Sequence, residues 1–126
     1  MNEYIDVFKA LSDGTRLRTA RLLLEAGREL CICEIMDALA LAQYKVSRHV
    51  RELKLAGMVE ERKEGKFVLY SLKTPGGEFL CSVLGAVKGI PGEMFSSDRK
   101  RLAERLSLRK SGKCIVGMKK KGRSLS

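Results

Sequence analysis

The stretch from residue 43 to residue 72 leaves few folds open. Residues 43 to about 56 carry Val46, Val50, Leu53 and Leu55 at helical spacing, and Gly57 supplies a stop. Two β-prone runs follow at once, residues 58–63 and 66–72, and Glu64-Gly65 between them permits a tight turn. Just upstream, a short helix from Cys33 or Glu34 to about Leu39 carries Ile35, Met36 and Leu39. Only Ala40-Leu41-Ala42 links it to the longer one. Short helix, tight link, longer helix with basic outward residues, then a hairpin: this is a helix-turn-helix followed by a wing.

The flanking segments supply the rest of a small core. Residues 2–11 place Ile5, Phe8 and Leu11 on one stripe with Tyr4 beside it, behind Asn2 as a cap. Ser12-Asp13 offers a second cap, and residues 15–26 carry Leu17, Ala20, Leu23 and Leu24 before Gly27. Past the hairpin, residues 78–90 hold Phe79, Leu80, Val83, Leu84, Val87 and Ile90, too broad a stripe for one helix on so small a monomer. A surplus apolar face implies a second subunit. The expected fold is mainly α with a β-hairpin wing, a winged helix-turn-helix that dimerises with itself through its N-terminal and post-wing helices.

At 126 residues the chain is long enough for one domain, expected over residues 1–92. Residues 93–126 read as a basic extension, because Phe95 to Ser126 holds eleven Lys and Arg against Asp98 and Glu104, nearly all of the net +10. Ser97-Asp98 can cap a helix from Arg99 to about Leu108, with Leu102, Ala103, Leu106 and Leu108 apolar, and the end from Met118 onward reads as disordered. The tail's charge either adds salt-sensitive DNA affinity or only solubilises. No apolar run approaches the roughly 18 residues of a membrane span, and the first residues lack the pattern of a secretion signal. A cytoplasmic protein with no membrane partner is expected, and its four cysteines then read as ligands, reactive thiols or small core residues, not as a disulfide framework.

The run from Phe8 through Asp13-Gly14-Thr15-Arg16 to Arg18, the segment Val46-Ser47-Arg48-His49-Val50 to Leu53, then Ala56-Gly57-Met58-Val59 and Arg62-Lys63-Glu64-Gly65-Lys66 to Tyr70 together resemble the ArsR/SmtB family of metal-responsive repressors. The resemblance runs continuously over about residues 4–73, with Gly14 standing where the family commonly has Pro, which should loosen the start of the second helix. It implies a homodimer that occupies double-stranded operator DNA and leaves when metal binds. Base reading then falls to Gln43, Ser47 and Arg48, beside the outward Tyr44 and Lys54. Phosphate anchoring falls to Lys45, His49 and Arg51, and wing contacts to Arg62, Lys63 and Lys66, among Glu60, Glu61 and Glu64. A charged helix face alone would more often be merely solvated, and His49 reads equally as a partly buried ring.

Cys31 and Cys33, preceded by Glu29-Leu30, match the Cys-x-Cys box of the family's arsenite and antimonite sensors and of some cadmium or lead sensors. At a helix N-terminus, unpaired N–H groups and the helix dipole favour thiolate, the form that takes a soft ion. Trivalent arsenic prefers three sulfurs, but Met36 stands where arsenic sensors with a longer box have a third Cys. Cys114 is therefore expected as third ligand ahead of Cys81, which reads better as a small apolar residue. The family's dimer-helix site for zinc or nickel needs His, and residues 78–90 have none. No resident cofactor is expected, only an inducer: As(III) or Sb(III), with Cd(II) or Pb(II) as alternatives. A thiol-redox repressor of the same fold is the runner-up. A small thiol enzyme is disfavoured, since no phosphate loop or acid-base pair is present.

Overall fold

The computed structural model describes residues 1–73 and 76–109, so Cys114 and the basic end of the chain lie outside the described residues. Helix α1 spans Asn2–Leu11 and starts behind Met1, so Asn2 lies inside the helix and makes no cap. Helix α2, Gly14–Ala26, is capped by Asp13, whose Oδ2 accepts from the Arg16 N–H at 3.0 Å, and ends on Gly27 at φ 61°. That cap lets the helix begin at Gly14 without the proline usual there.

A two-residue strand β1, Leu30–Cys31, comes next, followed directly by α3, Ile32–Leu39. Helix α4, Gln43–Leu55, then runs to Gly57, which takes φ 81°. Val46, Val50 and Leu53 are buried at helical spacing, whereas Leu55 falls off that stripe and is exposed. Strands β2, Val59–Glu64, and β3, Phe67–Leu72, pair antiparallel with Glu64 opposite Phe67, so the turn rests on Gly65-Lys66, one residue later than expected. β1 adds to the far edge of β3, with Leu30 opposite Tyr70 and Cys31 opposite Leu69, making the sheet order β1-β3-β2.

Helix α5, Gly77–Lys88, buries Leu80, Leu84 and Val87. Cys81 sits one residue round from that stripe and is exposed, which corrects its reading as a small core residue. Phe79 meets the rings of Tyr4 and Phe8 edge-on, at centroid distances of 4.9 and 5.6 Å, joining α1 to α5. A 3-10 turn, Gly92–Phe95, leads without a break into α6, Ser96–Leu106, so that helix starts earlier than Ser97-Asp98 suggested. Leu102 enters the main core and Leu106 packs against it, while Ala103 and Leu108 are exposed.

Asp13 carries a testable consequence. The Arg16 N–H holds its carboxyl below the ordinary carboxylate range, so its stabilisation is complete above the unfolded-state value and is lost as pH falls through the lower folded value. Asp13→Ala should cost about 1 kcal/mol in urea unfolding at pH 7. The gap to wild type should close as the pH is lowered from about 4, the unfolded-state value.

Candidate thiol site and nucleic-acid interface

Cys31 ends β1 and is also the N-cap of α3, a double duty set by the absence of any linker between strand and helix. It takes the place of the usual Ser or Thr in a capping box: its sulfur faces the Glu34 N–H, and Glu34 Oε1 accepts from the Cys31 N–H at 3.0 Å. Cys33 lies in the first turn, and its Sγ is 2.8 Å from that of Cys31. Both thiols are buried, in a small cluster with Leu69 and Phe67 of the wing. Sulfur at a helix N-terminus meets the positive end of the helix dipole, which favours thiolate.

The C-terminal helix adds cations to this site. The Nη2 of Arg105 donates to Cys33 Sγ at 3.3 Å while its Nε donates to Asp37 at 2.7 Å. Arg109 grips both oxygens of Glu34, at 2.7 Å from Nε and 2.6 Å from Nη2, and also donates to the Glu29 carbonyl at 2.7 Å. Glu34 is fully buried, so this pair is a paired charge in the interior. At the other end of α3, Arg18 and Arg101 donate to the Leu39 and Ala38 carbonyls and share Asp98. These carbonyls belong to the last turn, which has no intrahelical partners. α6, with Arg109 just past its end, thus follows α3 from its capping box to its last turn, and none of these four arginines was legible as a site residue.

Among the described residues no third Cys, His, Asp or Glu joins the thiol pair in a metal-holding group, so Cys81 is not brought to it. Met36 is half-buried against the main core.

On the opposite side of α4 from its buried stripe, Gln43, Tyr44, Lys45, Ser47, Arg48 and Arg51 are exposed, as expected of a recognition helix. Lys54 pairs instead with Glu61 of β2 at 3.2 Å, tying helix to wing. On the wing, Lys63 and Lys66 are exposed, but Arg62 is held by a two-pronged contact with Glu29, at 2.8 and 2.6 Å. That pairing holds the Glu29 carboxyl below its usual range. His49 departs from the outward set. Its side chain is only 12% exposed, with Nδ1 3.7 Å from Asp13 and 3.3 Å from Arg16 Nη1.

Residues 13–61 match the family model described as bacterial regulatory protein, arsR family. The arsenic resistance transcriptional regulator ArsR1 of Pseudomonas putida is 41% identical over 98 residues, 78% of this chain and 76% of that protein. The chain belongs to the ArsR family. The arsenical resistance operon repressor of Escherichia coli is 47% identical over 68 residues, 54% of this chain but only 57% of the relative. Among solved structures, the homodimeric winged helix-turn-helix DNA-binding domain Mb0332 of Mycobacterium bovis aligns with a TM-score of 0.59 at 30% identity, over 69% of this chain and 76% of that one. The winged helix-turn-helix fold and the ArsR-family assignment therefore stand on structure and sequence together, and the family is one of DNA-binding regulators, not enzymes. No helix among the described residues is long and apolar enough to cross a membrane.

The Glu34–Arg109 pair makes a sharp stability prediction. Arg109→Met strands a buried carboxylate, and should cost about 3–5 kcal/mol in urea unfolding. Glu34→Gln with Arg109→Met together should recover most of that loss, because no uncompensated charge then remains.

Proposed function

We propose that the protein is a homodimeric transcriptional repressor that holds operator DNA through α4 and the wing, and releases it when trivalent arsenic or antimony binds at Cys31 and Cys33. The observation that carries this reading is the pair of adjacent buried thiols at the N-cap of α3, one helix ahead of the recognition helix. A soft ion suits that donor set, and the P. putida and E. coli relatives, both named as arsenic resistance regulators, agree with it. The ion supplies a cross-link between sulfurs; everything else is done by the chain's own residues.

Cys114 is proposed as the third sulfur. It lies five residues beyond Arg109, which is clamped to the capping-box carboxylate, and five extended residues span at most roughly 17 Å. Delivery from the same chain is therefore favoured over Cys81, which is exposed on another helix.

Two features support transmission to DNA. α3 packs directly on α4, and β1, whose last residue is Cys31, is hydrogen-bonded to the wing strand β3. Seating an ion between sulfurs that already lie 2.8 Å apart would part them, shift the start of α3 and so tilt α4 within its dimer. Two half-sites must match over about 34–36 Å, so a small tilt is costly. A coupling of about 1–3 kcal/mol is the usual scale. For the dimer, Tyr4, Ile5 and Phe8 of α1 are exposed beside Phe79 of α5, an apolar patch continuous across both expected dimer helices.

Fluorescence anisotropy of a labelled duplex from the chain's own upstream region, under reducing conditions, tests the reading. Arsenite or antimonite should dissociate the wild-type complex. Cys31→Ser and Cys33→Ser should stay bound, and Cys31→Ser should keep its melting temperature, since Ser also completes a capping box. Cys114→Ser should weaken the response and Cys81→Ser leave it intact. Release of the double variant Cys31→Ser/Cys33→Ser by arsenite would overturn the proposal, and a response to cadmium or lead alone would reassign the inducer. Independently, Phe8→Glu should halve the solution mass measured by light scattering.

A further inference from the structure

The inward turn of His49 joins three elements at one guanidinium. Arg16, in the first turn of α2, donates from Nε to the carbonyl of Ala10 at 2.7 Å. Ala10 lies in the last turn of α1, where a carbonyl lacks an intrahelical partner. From Nη1 the same guanidinium meets His49 Nδ1 at 3.3 Å, which accepts when the ring proton is on Nε2. Asp13 closes the group, accepting from the Arg16 N–H at 3.0 Å and facing His49 Nδ1 at 3.7 Å. The end of α1, the cap of α2 and the middle of α4 are thereby held to one another through polar contacts of fixed direction.

His49 stands between outward residues: Ser47 and Arg48 precede it and Arg51 follows, all exposed. Its own side chain is 12% exposed. The residue is thus on the reader helix but turned toward the start of α2, whose Arg16 in turn reaches the end of α1, the helix with the exposed Tyr4, Ile5 and Phe8. Apolar packing of Val46, Val50 and Leu53 keeps α4 on the core, yet it is non-directional and tolerates small rotations about the helix axis. A hydrogen-bonded joint does not.

We propose that Arg16 and His49 form a positioning joint that sets the angle of the recognition helix relative to α1, and that His49 governs DNA affinity through this joint and not through a phosphate contact. The inference rests on the reading of the chain as a dimeric DNA-binding repressor. In a dimer built on α1, an error in that angle is applied twice, once for each half-site.

The test uses the full chain and a duplex selected by the wild-type protein from a random-sequence library, with affinity measured across a range of salt concentrations. Arg16→Ala and His49→Ala should each lose roughly tenfold in affinity while keeping the wild-type slope of log affinity against log salt. A lost phosphate contact would instead lower that slope by about 0.9. The double variant should be no weaker than either single one, as expected of two halves of one contact. His49→Asn, whose Oδ1 can accept from Arg16 near the position of Nδ1, should recover most of the affinity, and it keeps the test valid if His49→Ala fails to fold. A reduced slope in His49→Ala, or additive losses in the double variant, overturns the joint. Failure of the wild type to select any duplex overturns the repressor reading itself, a different outcome from a wild type that binds and variants that break this pattern.

Discussion

The arrangement depends on how the first turn of α3 is closed. Four N–H groups at a helix start have no partners within the helix, and here the helix begins with no linker after a strand, so no solvated loop is available to satisfy them. Glu34 answers part of this need from inside the helix, but at the cost of burying a carboxylate completely. That burial in turn requires a cation, and Arg109 comes from the far end of the described chain to provide it. The capping box, the thiols within it and the seating of α6 along α3 are one electrostatic problem with one solution.

Such a solution changes what the basic extension is for. Arg99, Arg101, Arg105 and Arg109 contribute to its charge, yet each is engaged with a carboxylate: Glu25, Asp98, Asp37 and Glu34 respectively. In the described part of the extension those cations are therefore turned toward the protein and away from a polyanion. The exposed cations of α4 and the wing remain as the face suited to DNA.

Much of this was open to reading from residue order. The periodicity of Val46, Val50 and Leu53, the cap at Asp13, the stop at Gly27 and the glycine of the hairpin turn are all local signals, and local signals survive folding. What could not be read was decided by tertiary partners. A two-residue strand has no period to detect. Arginines four apart, at 101, 105 and 109, look the same whether they face water or a buried carboxylate, and nothing near His49 in sequence announces Arg16, thirty-three positions away. The thiol pair was legible as a pair; its role as the helix cap was masked because Cys is not a usual capping residue.

The short strand β1 has a further consequence, for how such a sensor can change over evolutionary time. Because Cys31 is registered against Leu69, its side chain has a fixed face of the sheet, and sliding the Cys-x-Cys box by a single position would carry its sulfur to the opposite face and off the cap of α3. The site can be retuned only by substitution in place or by donors arriving from elsewhere in the chain, so variety in what it senses has to be written into the segments around the box, not into the position of the box itself.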